Sequence, residues 1–174
     1  MSFDIKTHIR AIHDYPKPGI VFRDITPLLA DGVAFQQTIM QLAERYRPLQ
    51  LTRVVGIEAR GFIFGTALAY ALGVGFVPLR KPGKLPGSTL EQRYQLEYGE
   101  DALQMHDDAL TADDRVIIID DLLATGGTVL AAVDLVRQTQ AELLECAFVI
   151  SLTDLPGPSR LQRAKIPYYT LCEF

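Results

Sequence analysis

Residues 116–128 read VIIIDDLLATGGT, and the fold follows from how that stretch is read. Val116 to Ile119 form a short β-branched run of the kind that fills a strand buried on both faces. The run delivers Asp120 and Asp121 to the end of that strand, and ATGGT then opens a helix over TVLAAVDLVRQTQ, residues 128–140. A helix start exposes unpaired N–H groups and the positive end of the helix dipole. Gly126 and Gly127 carry no Cβ, so backbone amides can approach an anion closely, and Thr125 and Thr128 add hydroxyl donors. The turn therefore reads as a cup for a terminal phosphate. Carboxylates just upstream can accept hydrogen bonds from sugar hydroxyls, which makes a sugar phosphate the expected ligand. Successive strand side chains point to opposite faces, so Asp120 and Asp121 are expected to do different jobs. The competing reading is a Gly-Gly helix start with exposed caps and two solvated aspartates. A P-loop is excluded because no lysine precedes the final threonine, and the dinucleotide fingerprint GxGxxG is missing.

Working outward, buried strands are expected at RVVGI (53–57), GFVPLR (75–80), RVIII (115–119), LLECAFVIS (143–151) and PYYTL (167–171). An apolar helix over FIFGTALAYALG (62–73) lies between the first two, ending at Gly73. Strand, turn and helix in alternation predict a parallel sheet with helices on both faces, an α/β fold. In such sheets ligands bind at the carboxyl ends of the strands, near a topological switch point. Residues 4–13 read as a short helix, and DYPKPGIVFRDITPLL as an irregular, packed segment. Asp31 caps a helix through about Tyr46, with Phe35, Ile39, Leu42, Ala43 and Tyr46 on its core face. YQLEY and ALQMH are expected as short strands in a hairpin around Gly99. No repeat or linker divides residues 1–174, which read as a single domain.

The chain is acidic, with net charge −4 and a pI near 5.3, so a basic nucleic-acid footprint is not expected. No apolar run reaches membrane-spanning length, and MSFDIKTHIRAIHDY lacks a signal-peptide core. Two cysteines are too few for a disulfide framework, and Cys146 in LLECAFVI reads as a core thiol. A reducing cytoplasmic location is the expectation. His8, His13 and His106 are scattered, which argues against a histidine metal site or a Ser-His-Asp triad.

Two more segments suit an anionic ligand. In GIEARGF (56–62), Glu58, Ala59, Arg60 and Gly61 make a turn between strand and helix, and the planar fork of Arg60 suits phosphate oxygens. The alternative is a surface arginine pairing with Glu58. From Lys81 to about Arg93 the chain has no periodicity and carries Pro82, Gly83, Lys84, Pro86 and Gly87. A loop of that length in a small domain is often a lid. Arg80, Lys81 and Lys84 make its start cationic, as closure over an anion would need, and closure would exclude water. A solvated basic loop is the plainer alternative.

VIIIDDLLATGGT resembles the phosphoribosyl pyrophosphate-binding motif of the type I phosphoribosyltransferases. KLPG at 84–87, LEYG at 96–99 and YPKPGIVFRDITPLL at 15–29 resemble the adenine-specific members of that family. The similarity runs from about residue 9 to residue 174. It implies a single transferase domain with a hood segment and N-terminal helix over about 1–34 and a flexible catalytic loop over about 81–93. It also implies a pentosyltransferase reaction in purine salvage: adenine and phosphoribosyl pyrophosphate give AMP and diphosphate, with Mg²⁺ bound mainly through substrate. By resemblance, Ala124, Thr125, Gly126, Gly127 and Thr128 hold the 5′-phosphate, and Asp120 and Asp121 the ribose. Glu58, Ala59 and Arg60 form the diphosphate turn, with a non-proline cis peptide, assisted by Arg80, Lys81 and Lys84. Phe22 and Leu152 sandwich the adenine, while Val21 and Arg23 meet its edge through backbone groups. Glu97 handles the purine proton, with Tyr98 beside it. The family is usually a homodimer, with Arg80 or Lys81 reaching the neighbouring site; nucleic-acid and membrane partners are not implied. Rival readings are a transferase for hypoxanthine, guanine or xanthine, and a regulator that senses phosphoribosyl pyrophosphate while binding nucleic acid.

Overall fold

At the centre of the computed structural model, which describes residues 3–96 and 99–174, lies a five-stranded parallel sheet. Its strands are β3 (Arg53–Ile57), β4 (Gly75–Leu79), β7 (Arg115–Leu123), β8 (Glu142–Ser151) and β9 (Tyr168–Glu173), in the spatial order β4-β3-β7-β8-β9. From β3 the chain first steps outward to β4 and later returns to the other side of β3 as β7. That reversal makes the gap between β3 and β7 the switch point, where the two carboxyl-end turns can face one crevice.

Parallel crossovers are right-handed, so steps in opposite directions put their helices on opposite faces. Helix α3 (Gly61–Leu72), which follows β3, packs with α2 (Gly32–Tyr46) on the face presenting Val54, Ile117, Ile119 and Val149. Helix α4 (Gly127–Gln138), which follows β7, covers the face presenting Val55, Ile57, Ile118 and Phe148. The alternation along β7 thus divides one strand between two apolar layers. Asp31 caps α2, its Oδ1 accepting from Val33 and Ala34 N–H at 3.0 Å each. At the other end of α2, Arg45 Nε and Tyr46 OH donate to the buried Glu145 carboxylate on β8 at 2.8 and 2.7 Å.

Four expectations need correction. Residues 4–13 are not one helix: a 3₁₀ turn covers Ile5–His8, and β1 (Arg10–His13) follows. Ile5 and Ile9 are buried at helical spacing, but Arg10 to His13 are exposed and pair antiparallel with β2 (Val21–Asp24). Backbone pairing to a distant strand outweighed a weak local helical pattern. The loop expected over about 81–93 ends at residue 88, where β5 (Thr89–Gln95) begins and pairs with β6 (Glu100–His106). Only Tyr94 on β5 is buried, so its polar outer face concealed the alternation. Strand β7 does not stop at Ile119 but runs to Leu123, so both aspartates lie within it. Helices α1 (Thr26–Ala30) and α5 (Gly157–Arg163) were not foreseen, because both begin in Pro-rich text that reads as turn.

Candidate active site

The turn expected to cup a phosphate lies where β7 hands over to α4. Gly126 sits at φ +83°, a conformation that glycine adopts without strain, and α4 starts at Gly127. A cavity of about 70 Å³ opens there, lined by Asp120, Leu122 to Gly126, Thr128, Val129 and Phe148. Two contacts from α5 brace the turn from behind. Gly157 N–H donates to Ala124 O at 2.8 Å, and Arg160 Nη1 donates to Thr125 O at 3.0 Å. A Cβ on Gly157 would lie 2.4 Å from Ala124 O and 2.8 Å from Leu123 Cδ1. Sequence reading missed both braces; the available signal was a glycine between prolines in LPGPS. Gly157→Ala is therefore expected to push the cup out of shape, raising the KM for a phosphate-bearing substrate about tenfold and costing about 1–3 kcal/mol of stability. Steady-state kinetics and thermal melts check this, and an unchanged KM would refute the bracing role.

The two aspartates make different contacts. Asp121 is buried and takes a 2.7 Å ion pair from Arg60 Nε. Asp120 lines the cup, its Oδ1 accepting from Asp121 N–H at 2.8 Å. Burial raises the Asp120 carboxyl well above the usual carboxylate range, and the neighbouring Asp121 charge raises it further. Burial also raises Asp121, but the Arg60 cation opposes that rise. Of the two carboxyls, Asp120 is therefore held the higher, because the Arg60 cation lies against Asp121.

Across the switch point lies the turn after β3, with a cis peptide between Glu58 and Ala59. Arg60 does not pair with Glu58, which corrects the alternative considered for it; its carboxylate partner is Asp121. Glu58 instead gathers the start of the loop. Its carboxylate accepts from Lys81 N–H at 2.8 Å, Lys84 Nζ at 2.9 Å and Arg80 Nη2 at 3.3 Å. Burial alone would raise this carboxyl, but those bonds outweigh it and hold the pKa at about 2. Lys81 Nζ also bonds Asp101 Oδ2 and donates to Tyr94 OH at 2.7 Å. The loop cations thus rest on two carboxylates, Glu58 and Asp101, and sequence reading singled out Asp101 nowhere.

The β1–β2 hairpin, within the expected hood segment, lies beside the Arg60 turn. Phe22 packs edge-on against Tyr15 with ring centroids 5.3 Å apart, and the Arg60 guanidinium lies 5.7 Å from the Phe22 ring. Asp24 anchors the strand: Arg10 Nη2 reaches its Oδ2 at 2.7 Å, and Thr26 N–H its Oδ1 at 2.9 Å. The Thr26 N–H, then the Arg10 bond, lower the Asp24 pKa. Leu152 follows β8, and its N–H donates to Leu123 O at 3.0 Å beside the cup. Phe22, Arg60, Asp121, the cup and Leu152 therefore form one connected rim. Glu97 and Tyr98 lie outside the described residues, but a Cβ on Gly127 would lie 3.4 Å from Gln95 O. The roomier cavity, about 360 Å³ against Phe76, Leu85 and His106, shares no residue with the cup.

This geometry can hold a phosphate, a sugar and a second anion in a row beneath an aromatic hood. A family model of the phosphoribosyl transferase domain matches residues 29–170. The adenine phosphoribosyltransferase of Idiomarina loihiensis is 58% identical over 171 residues, spanning 98% of this chain and 97% of that protein. The crystal structure of the Thermoanaerobacter pseudethanolicus adenine phosphoribosyltransferase superposes with a TM-score of 0.92 at 48% identity, covering 98% of both chains. The Saccharomyces cerevisiae enzyme, solved with an imino-altritol bisphosphate and adenine, superposes at 0.89 with 42% identity, covering 96% of both chains. On its own cup-and-turn geometry and on these likenesses, the chain belongs to the phosphoribosyltransferase family, in its adenine phosphoribosyltransferase branch.

Proposed function

We propose that this chain transfers the phosphoribosyl group of phosphoribosyl pyrophosphate to N9 of adenine, giving AMP and diphosphate. The observation that carries the reading is the cup at the end of β7 lying across the switch point from the Arg60 turn, with Asp120 and Asp121 between them. That spacing suits a substrate with phosphate at one end, diphosphate at the other and a ribose in the middle.

In this reading Ala124 to Thr128 hold the 5′-phosphate, and Asp120 and Asp121 receive the ribose hydroxyls. Ala59, Arg60, Arg80, Lys81 and Lys84 take the diphosphate, which must draw the loop cations away from Glu58. The base lies between Phe22 and Leu152, with the backbone of Val21 and Arg23 at its edge. As the bond from C1′ to the diphosphate oxygen breaks, charge develops on the leaving group and on the ribose ring. Arg60 and the loop cations stabilise the first. Adenine N9 then forms the new bond to C1′, and Glu97 takes the N9 proton. Bound mainly through substrate, Mg²⁺ would supply charge screening at the diphosphate. The acidic pair beside the cup is the oxygen donor set that would face it.

The cytoplasm is the proposed location, where the buried Cys146 and Cys172 remain thiols. Among the described residues, no helix is long and apolar enough to cross a membrane. We also propose a homodimer. Helix α3 turns Ile63 and Tyr70 outward, and Tyr70 is 91% exposed. An apolar face of this kind suits a second copy of the chain. Tyr70→Glu should shift sedimentation from dimer towards monomer, and a monomeric wild type at high micromolar concentration would refute the assembly.

An absorbance assay with adenine, phosphoribosyl pyrophosphate and Mg²⁺ tests the reaction, with hypoxanthine, guanine and xanthine in parallel. Adenine is expected to be turned over and to dominate in competition. No adenine turnover would overturn the reading.

A further inference from the structure

Phe174 bridges the two sides of the proposed base pocket. Its main chain extends the β8–β9 ladder by one step, Phe174 N–H donating to Ser151 O at 2.9 Å. Its main-chain oxygen then accepts from Thr153 N–H at 2.9 Å and Thr153 Oγ1 at 3.0 Å. Those bonds grip Ser151 and Thr153, the residues on either side of Leu152. Leu152 is tied from the opposite direction to Leu123 O at the rim of the cup. The floor of the pocket is therefore clamped between β7 and Phe174.

The Phe174 side chain reaches the hood. The Arg23 guanidinium lies 4.0 Å from the centre of its ring, and Lys6 Nζ lies 5.1 Å away. Arg23 is the neighbour of Phe22 in β2, so its side chain ties the strand carrying Phe22 to the segment carrying Leu152. The ring faces of Phe174 attract these cations, and the ring also joins the apolar cluster that includes Leu152.

We propose that Phe174 is a positioning residue that sets the gap between hood and floor, and so the fit of the flat base. This rests on the assignment of Phe22 and Leu152 to the adenine faces. Phe174 is not among the residues lining the cup, so its influence should fall mainly on the base.

Steady-state kinetics of the full chain test it, with adenine and phosphoribosyl pyrophosphate varied in turn. Phe174→Ala should raise the adenine KM about five- to tenfold, while the phosphoribosyl pyrophosphate KM and kcat stay within about twofold. Phe174→Trp, which keeps a cation-binding ring, should return the adenine KM to within about twofold of wild type. Phe174→Leu keeps apolar bulk without a ring, and should raise the adenine KM at an unchanged melting temperature; it serves if the alanine variant folds poorly. Arg23→Met should give a similar rise that does not add to that of Phe174→Leu. An adenine KM unmoved in Phe174→Leu, a parallel rise in both KM values, or a Trp variant as impaired as alanine would overturn the proposal. Failure of the function assignment itself would show separately, as a wild type that does not turn over adenine.

Discussion

Arg60→Ala is expected to lower kcat/KM by about 10²- to 10³-fold, the range for removing one preorganised donor from a developing charge. The same variant should lose stability, because Arg60 is the cation paired with the buried Asp121. Stranding one partner of a fully buried pair costs about 3–5 kcal/mol, and the half-exposed Arg60 side chain reduces that here to about 2 kcal/mol. In a chain of this length the melting temperature should fall by about 4–8 °C. The pH dependence has a definite sign. Burial already raises the Asp121 carboxyl, and removing the opposing cation raises it further above its unfolded value near 3.9. A group with a raised folded pKa supports folding only while protonated, so the deficit should be small at low pH and grow as pH climbs through that folded value. Adding Asp121→Asn to Arg60→Ala should recover the melting temperature without recovering activity. Melts between pH 5 and pH 8, read with initial rates, check all of this. Equal melting temperatures at pH 7.5, or a rate loss under threefold, would remove Arg60 from the role assigned to it.

Glu97→Gln should lower kcat by about 10²-fold or more, the usual worth of a positioned proton acceptor. The substitution keeps shape and removes the charge, so both KM values should change little. The limb of the kcat–pH profile that reports the carboxylate should vanish with it. Support comes from the flanking chain: Leu96 N–H bonds Gly99 O at 2.9 Å, and the Gln95 carbonyl lies against the first turn of α4 beside the cup. A fall in kcat of less than threefold, or an unchanged acidic limb, would assign the proton to another group or to water.

Much of the architecture was legible because the signals were local. The β-branched run at 116–119 marks a buried strand, and the Gly-Gly start of α4 requires only its own backbone. Asp31 caps α2 as its position before the apolar stripe predicts. Errors came where local preference was weak and a distant partner decided. Arg10 to His13 became a strand because β2 supplied the other half of a hairpin. Thr89 to Arg93 became one because β6 lay alongside, although their outward side chains read as loop.

By itself the sequence determined the turn chemistry: where amides are bare, where carboxylates sit just ahead of a glycine turn, where cations cluster. Each depends on residues within a few positions of one another, and backbone geometry translates that spacing directly into shape. Tertiary structure alone decided the partners. It gave Arg60 to Asp121 rather than Glu58, rested Lys81 on Asp101, set Gly157 against Ala124, and brought Phe174 under Arg23. Those choices depend on strand order and helix placement, which bring together side chains far apart in the chain, and no short window of sequence carries that information.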